Sequence, residues 1–114
     1  MNAFRVFLVL ILLIVGLYTF VVLNDYGLTL FSVFFGDIAA MAWPGQFNLD
    51  FFCMLLLSAL WTAWRNEFAP AGLGLAVLAL LFGAPFLAVY LLILSVRTGG
   101  DPRVMLLGAS RAAR

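Results

Sequence analysis

Between Arg5 and Asp25 the chain carries no charged residue, and residues 6 to 23, VFLVLILLIVGLYTFVVL, form one apolar run. At about 1.5 Å of helix rise per residue, such a run covers nearly all of a ~30 Å hydrocarbon core. A water-soluble fold would have to bury it on every side, and a chain of 114 residues has too little else to do so. The rest of the sequence is of the same kind, 67% hydrophobic and 10% charged, against roughly 45–50% and 25% in soluble domains. The sequence therefore predicts an all-α integral membrane protein. The first run exceeds the ~7–15 apolar residues of a signal-peptide core, and YTFVVLND offers no A-x-A cleavage site, so the run is expected to be retained.

Two further spans are expected. LDFFCMLLLSALWTAW, residues 49 to 64, is short for a bilayer and is expected to continue toward Phe68. Its Trp61 and Trp64 would lie at headgroup level, and Pro70 would mark its end. The third, residues 71 to 96, is longer than a bilayer requires and is expected to tilt. Pro85 near its middle predicts a kink that frees the Leu81 carbonyl. Residues 1–96 are thus the expected transmembrane domain, and residues 97–114 an arginine-containing tail opening with the turn signal GGDP.

Between the first two spans, residues 28 to 43 have an amphipathic pattern. At 100° per residue Thr29, Ser32, Gly36 and Ala40 fall on one side with Asp37 at the margin, opposite Phe31, Phe34, Phe35 and Ile38. An interfacial helix is the expectation, because a carboxylate costs less near water than at the bilayer centre. Asn48 and Asp50 are expected to cap the start of the second span. The alternative makes Asp37 and Asp50 a proton- or cation-handling pair. Topology divides the arginines: three spans place Arg5 and Arg65 opposite Arg97, Arg103, Arg111 and Arg114, whereas a fourth span through residues 28–43 leaves five against one.

The chain has no histidine and one cysteine, Cys53, which excludes His-ligated haem, a Cys/His nucleophile pair and an internal disulfide. Cys53 in FFCMLL is expected to be a small buried apolar residue. With a formal net charge of +1 and dispersed arginines, nucleic acid is not an expected partner. No cofactor, metal set or catalytic residue is expected. Small residues four apart, Ser58/Thr62, Ala59/Ala63, Ala79/Gly83 and Ala84/Ala88, predict close helix packing within the chain, with another copy, or with a different subunit. Aromatic residues crowd between Phe31 and Phe52 and admit a second reading as a site for a quinone, carotenoid or lipid tail. Tyr90 is expected to donate to a carbonyl freed by Pro85. The tail arginines Arg103, Arg111 and Arg114 fit anionic headgroups, a loose tail or a docking element for a partner.

The motifs NDYG, WPGQFNLD leading into the second span, and GAPFLAVYLLILSVR in the third resemble a group of small bacterial membrane proteins. That resemblance covers about residues 6 to 97 and implies a three-helix architecture without a known activity. The expected function is a non-catalytic accessory or scaffold subunit of a larger complex in the bacterial inner membrane. Its partners would be the lipid bilayer and other integral membrane subunits or further copies of itself. The alternative is a small oligomeric transporter using Asp37.

Overall fold

The computed structural model describes residues 2–113, so Arg114 of the expected basic tail lies outside it. The helices are α1 (Asn2–Tyr26), α2 (Leu30–Ala40), α3 (Trp43–Arg65), α4 (Pro70–Arg97), α5 (Pro102–Leu107) and α6 (Ala109–Ala112). No strand occurs among the described residues. By length and composition three helices, α1, α3 and α4, are long and apolar enough to cross a membrane.

α3 starts at Trp43 rather than Leu49, so WPGQFNLD is helix and not loop. Pro44 sits in the first turn, where its fixed φ and missing N–H are no handicap. The expected capping role of Asn48 and Asp50 is thereby overturned. The N-cap is Ala42, without a side-chain cap, and both residues lie inside the helix. Asn48 instead reaches sideways, its Nδ2 donating to the Phe34 carbonyl of α2 at 3.1 Å.

α2 does not stand apart from the bundle. Met41, at φ 58°, closes it in the left-handed region with its N–H on the Ile38 carbonyl, and the chain turns back at once into α3. The two helices then touch backbone to backbone. A Cβ on Gly45 would overlap the Asp37 carbonyl oxygen and lie 2.9 Å from Ile38 Cα. Gly45→Ala is therefore expected to lower stability by about 1–3 kcal/mol, the range for overpacking a tight contact. A lowered thermal midpoint in detergent checks it, and an unchanged midpoint would mean that α2 does not dock on α3.

α4 departs most from expectation. It is not one tilted helix kinked at Pro85 but two arms joined at Gly83, where φ is 60° and ψ −133°. The arms fold back on each other. In a straight helix Gly72 and Tyr90 would be about 27 Å apart. Here Asn66 packs on Gly72 through its Cβ and donates from Nδ2 to Tyr90 Oη at 2.8 Å. Glycine alone enters that backbone region without strain, and Gly83 is also packed: an added Cβ would meet Leu55 Cδ2 and Phe51 Cζ, each at 3.2 Å. Pro85 falls in the first turn of the second arm, where proline is well tolerated.

α1 packs on α4 near its own start, and Leu8 is its one buried residue. Arg5 fixes that contact, donating from Nε to Ser95 Oγ at 3.0 Å and from Nη2 to the Ser95 carbonyl at 2.9 Å. The buried cluster of Tyr90, Leu94 and Met105 lies at this same end, with Phe4, Trp61 and Leu75 against it. Cys53 is exposed, not buried as expected. It lies about 160° around α3 from Phe51 and Leu55, the residues that meet the Gly83 turn.

Candidate functional site

The richest polar constellation gathers where α3 ends, and it is assembled from four helices. α5 has only six residues, too few to persist alone. Its first turn is capped by Asp101, whose carboxylate accepts from the Arg103 N–H at 3.0 Å. In its last turn the Val104 carbonyl accepts from the Gly108 N–H at 2.9 Å, whereas the Met105 and Leu106 carbonyls are past the reach of the helix ladder, and α3 supplies donors to all three. Arg65 donates from Nε to the Met105 carbonyl and from Nη2 to the Val104 carbonyl at 3.2 Å. Trp61 Nε1 donates to the Leu106 carbonyl at 3.1 Å. A guanidinium suits this place because its donors form a rigid planar fork and its charge complements the negative end of a helix.

Tyr90 reaches the same place from the second arm of α4. Its hydroxyl accepts from Asn66 Nδ2 at 2.8 Å and lies 3.5 Å from Arg65 Nη1. It meets side chains of α3 rather than a carbonyl freed by Pro85. Asn66 also donates to the Thr62 carbonyl, and the Thr62 hydroxyl donates to the Ser58 carbonyl, both at 2.8 Å. Arg111 of α6 donates to the Trp64 carbonyl and stacks over the Trp64 ring, its Cζ 4.1 Å from the centroid. Ser110 Oγ donates to Glu67 Oε1. Trp61 and Trp64, expected at headgroup level, thus hold the tail. Gly108 completes the cover, since a Cβ there would come within 3.1 Å of the Arg65 carbonyl.

The residues singled out in the sequence are distributed differently. Thr62 and Ala79 are fully buried, and Ala63, Gly83 and Ala88 are buried, so much of the small-residue pattern is consumed inside the chain. Ser58 and Ala59 are half-buried, with the Ser58 hydroxyl unpartnered, and Ala84 is exposed. Asp37 is half-buried against α3 and Asp50 is exposed. On α3, Gly45 marks the side that meets α2, and Asp50 lies about 140° around the helix from it. The geometry does not join the two carboxylates into one site. Among the aromatics, Phe34 stacks edge-on with Phe35 and approaches Phe52 at 6.4 Å, while Phe31 and Phe35 point outward. The shallow apolar grooves lie elsewhere, one along Leu57, Leu60, Trp61 and Trp64 and another along Leu92, Ile93, Val96 and Arg97.

Chemically the constellation is a clamp. Its donors are spent on main-chain carbonyls, a tyrosine hydroxyl and the Glu67 carboxylate, which fixes the tail and the second arm of α4 onto α3. No cluster of three or more acidic or thiol side chains with metal-binding proximity occurs among the described residues. Arg65 and Asn66 were not foreseen as site residues, although an arginine closing an apolar helix one turn after a tryptophan was the available signal. No family model, curated protein or solved structure matches the chain, and the resemblance carried by WPGQFNLD and GAPFLAVYLLILSVR gains no support from these comparisons.

Proposed function

We propose that this chain is an integral protein of a bacterial inner membrane and serves as a non-catalytic accessory or scaffold subunit of a larger membrane assembly. The observation that carries the reading is a division of labour on its surface. The polar groups at the end of α3 are spent on the chain's own backbone and side chains, whereas α1 offers an apolar helix with Leu8 alone buried. Leu10, Leu13, Ile14, Leu17 and Phe20 of α1 are each at least half exposed. Lipid covers part of that face, and a neighbouring subunit or a second copy covers the rest. α2 and the polar start of α3, with Gln46, Asn48 and Asp50, lie at the membrane boundary, where their side chains keep water.

Solubilising native membranes in a mild detergent tests the reading. The chain is expected to co-migrate with a species several times its own mass. Migration as a lone monomer at every detergent concentration would sink it.

A further inference from the structure

We propose that α4 is a re-entrant hairpin: it enters the membrane from the side on which α3 ends, turns at Gly83 inside the bundle, and returns to the same side. This rests on the membrane setting above and adds the path of the chain through it. The first support is geometric. Residues 70–82 and 84–97 make arms of about 20 Å each, well short of a ~30 Å core. Their folding back is fixed by the chain Gly72–Asn66–Tyr90.

The second support is the placement of the turn. A break in the helix is tolerated at membrane depth only where protein covers it. Gly83 is buried and seated on Phe51 and Leu55, more than two turns inside α3 from either end. Ala79 and Ala88, on either side of it, are also buried, so the arms approach through small residues.

Charge gives the third support and the direction. Arg5 is held by Ser95, Arg65 by the carbonyls of α5, and Arg111 by Trp64, while Arg97 and Arg103 flank these contacts in the chain. The five described arginines therefore share one end. Asp25, Asp37 and Asp50 lie toward the other. A continuous α4 would split the arginines across the membrane, and a re-entrant one places all of them on one side. By the positive-inside rule that side is the cytoplasm, with Arg97 and Arg103 exposed toward anionic headgroups.

Single cysteines in a Cys53→Ser background, at Asn2, Met41, Ala69 and Arg103, test the path with a membrane-impermeant thiol reagent on spheroplasts and on inverted vesicles. Asn2, Ala69 and Arg103 are expected to label from the cytoplasmic side and Met41 from the opposite side, with all four labelled in permeabilised membranes. Asn2 and Arg103 on opposite sides would restore a continuous α4 and overturn the proposal, as would any other pattern. Alkaline extraction of the same membranes separates the two readings. Release of the protein would remove the membrane setting itself, whereas retained protein with the wrong pattern removes only the hairpin.

Discussion

Gly83→Ala is expected to lower the stability of the chain by about 2–6 kcal/mol. Two costs add. A non-glycine residue held at φ 60° and ψ −133° stores roughly 1–3 kcal/mol of backbone strain. The new methyl also meets Leu55 Cδ2 and Phe51 Cζ at 3.2 Å, so both side chains must give way, at about 1–3 kcal/mol for overpacking. Thermal unfolding in detergent, followed by circular dichroism, measures the sum. A midpoint equal to that of the parent protein would show that the turn at Gly83 does not hold the two arms together.

Arg65→Met is expected to release the tail while leaving the long helices in place. The substitution keeps an unbranched apolar stem but removes the donors that serve the Val104 and Met105 carbonyls. A hydrogen bond from a charged donor contributes roughly 1.5–3 kcal/mol, and because the Val104 carbonyl keeps its bond from the Gly108 N–H, the loss is about 1.5–3 kcal/mol, chiefly at Met105. A six-residue helix has no reserve against it. Met105 then leaves the cluster it shares with Tyr90 and Leu94. Limited trypsin digestion reads this directly, because Arg103 and Arg111 become cleavable once the tail opens. Cleavage at least ten times faster than in the parent is the expected outcome, since the open population grows by about tenfold per 1.4 kcal/mol. Equal rates would show that Arg65 does not clamp the tail.

The long helices were legible because uninterrupted apolar runs announce themselves whatever they pack against. Proline signals were legible too: Pro70 opens α4, and GGDP yields a turn and then the capped start of α5. What failed has a common physical origin. In an all-apolar helix no polar face marks which side meets a neighbour, so GAP in the third run reads equally as a packing glycine beside a kinking proline or as a turn. Backbone conformation at Gly83 decided it. The same ambiguity hid the start of α3, where Pro44 and Gly45 look like loop residues yet serve as a helix opening and a point of backbone contact. Cys53 was misplaced because an all-apolar helix leaves part of its surface uncovered by the rest of the chain, and residue type does not say which part. The clamp at Arg65 depends on carbonyls some forty residues away, which no local pattern reveals.

The bond between Arg5 and Ser95 joins residues separated by 90 positions, and it imposes an order on the birth of the protein. At the usual pace of synthesis, α1 is made roughly 5–20 s before its partner emerges. During that interval the helix must persist with neither Ser95 nor the second arm of α4 to hold it. In the proposed membrane setting, a helix with no charge between Arg5 and Asp25 and long enough to satisfy its own backbone in lipid can wait in that state, and a shorter or more polar one would not. In that setting the apolar excess of α1, far beyond what its few contacts in the finished bundle require, serves assembly: the segment survives alone until the second arm of α4 arrives to hold it.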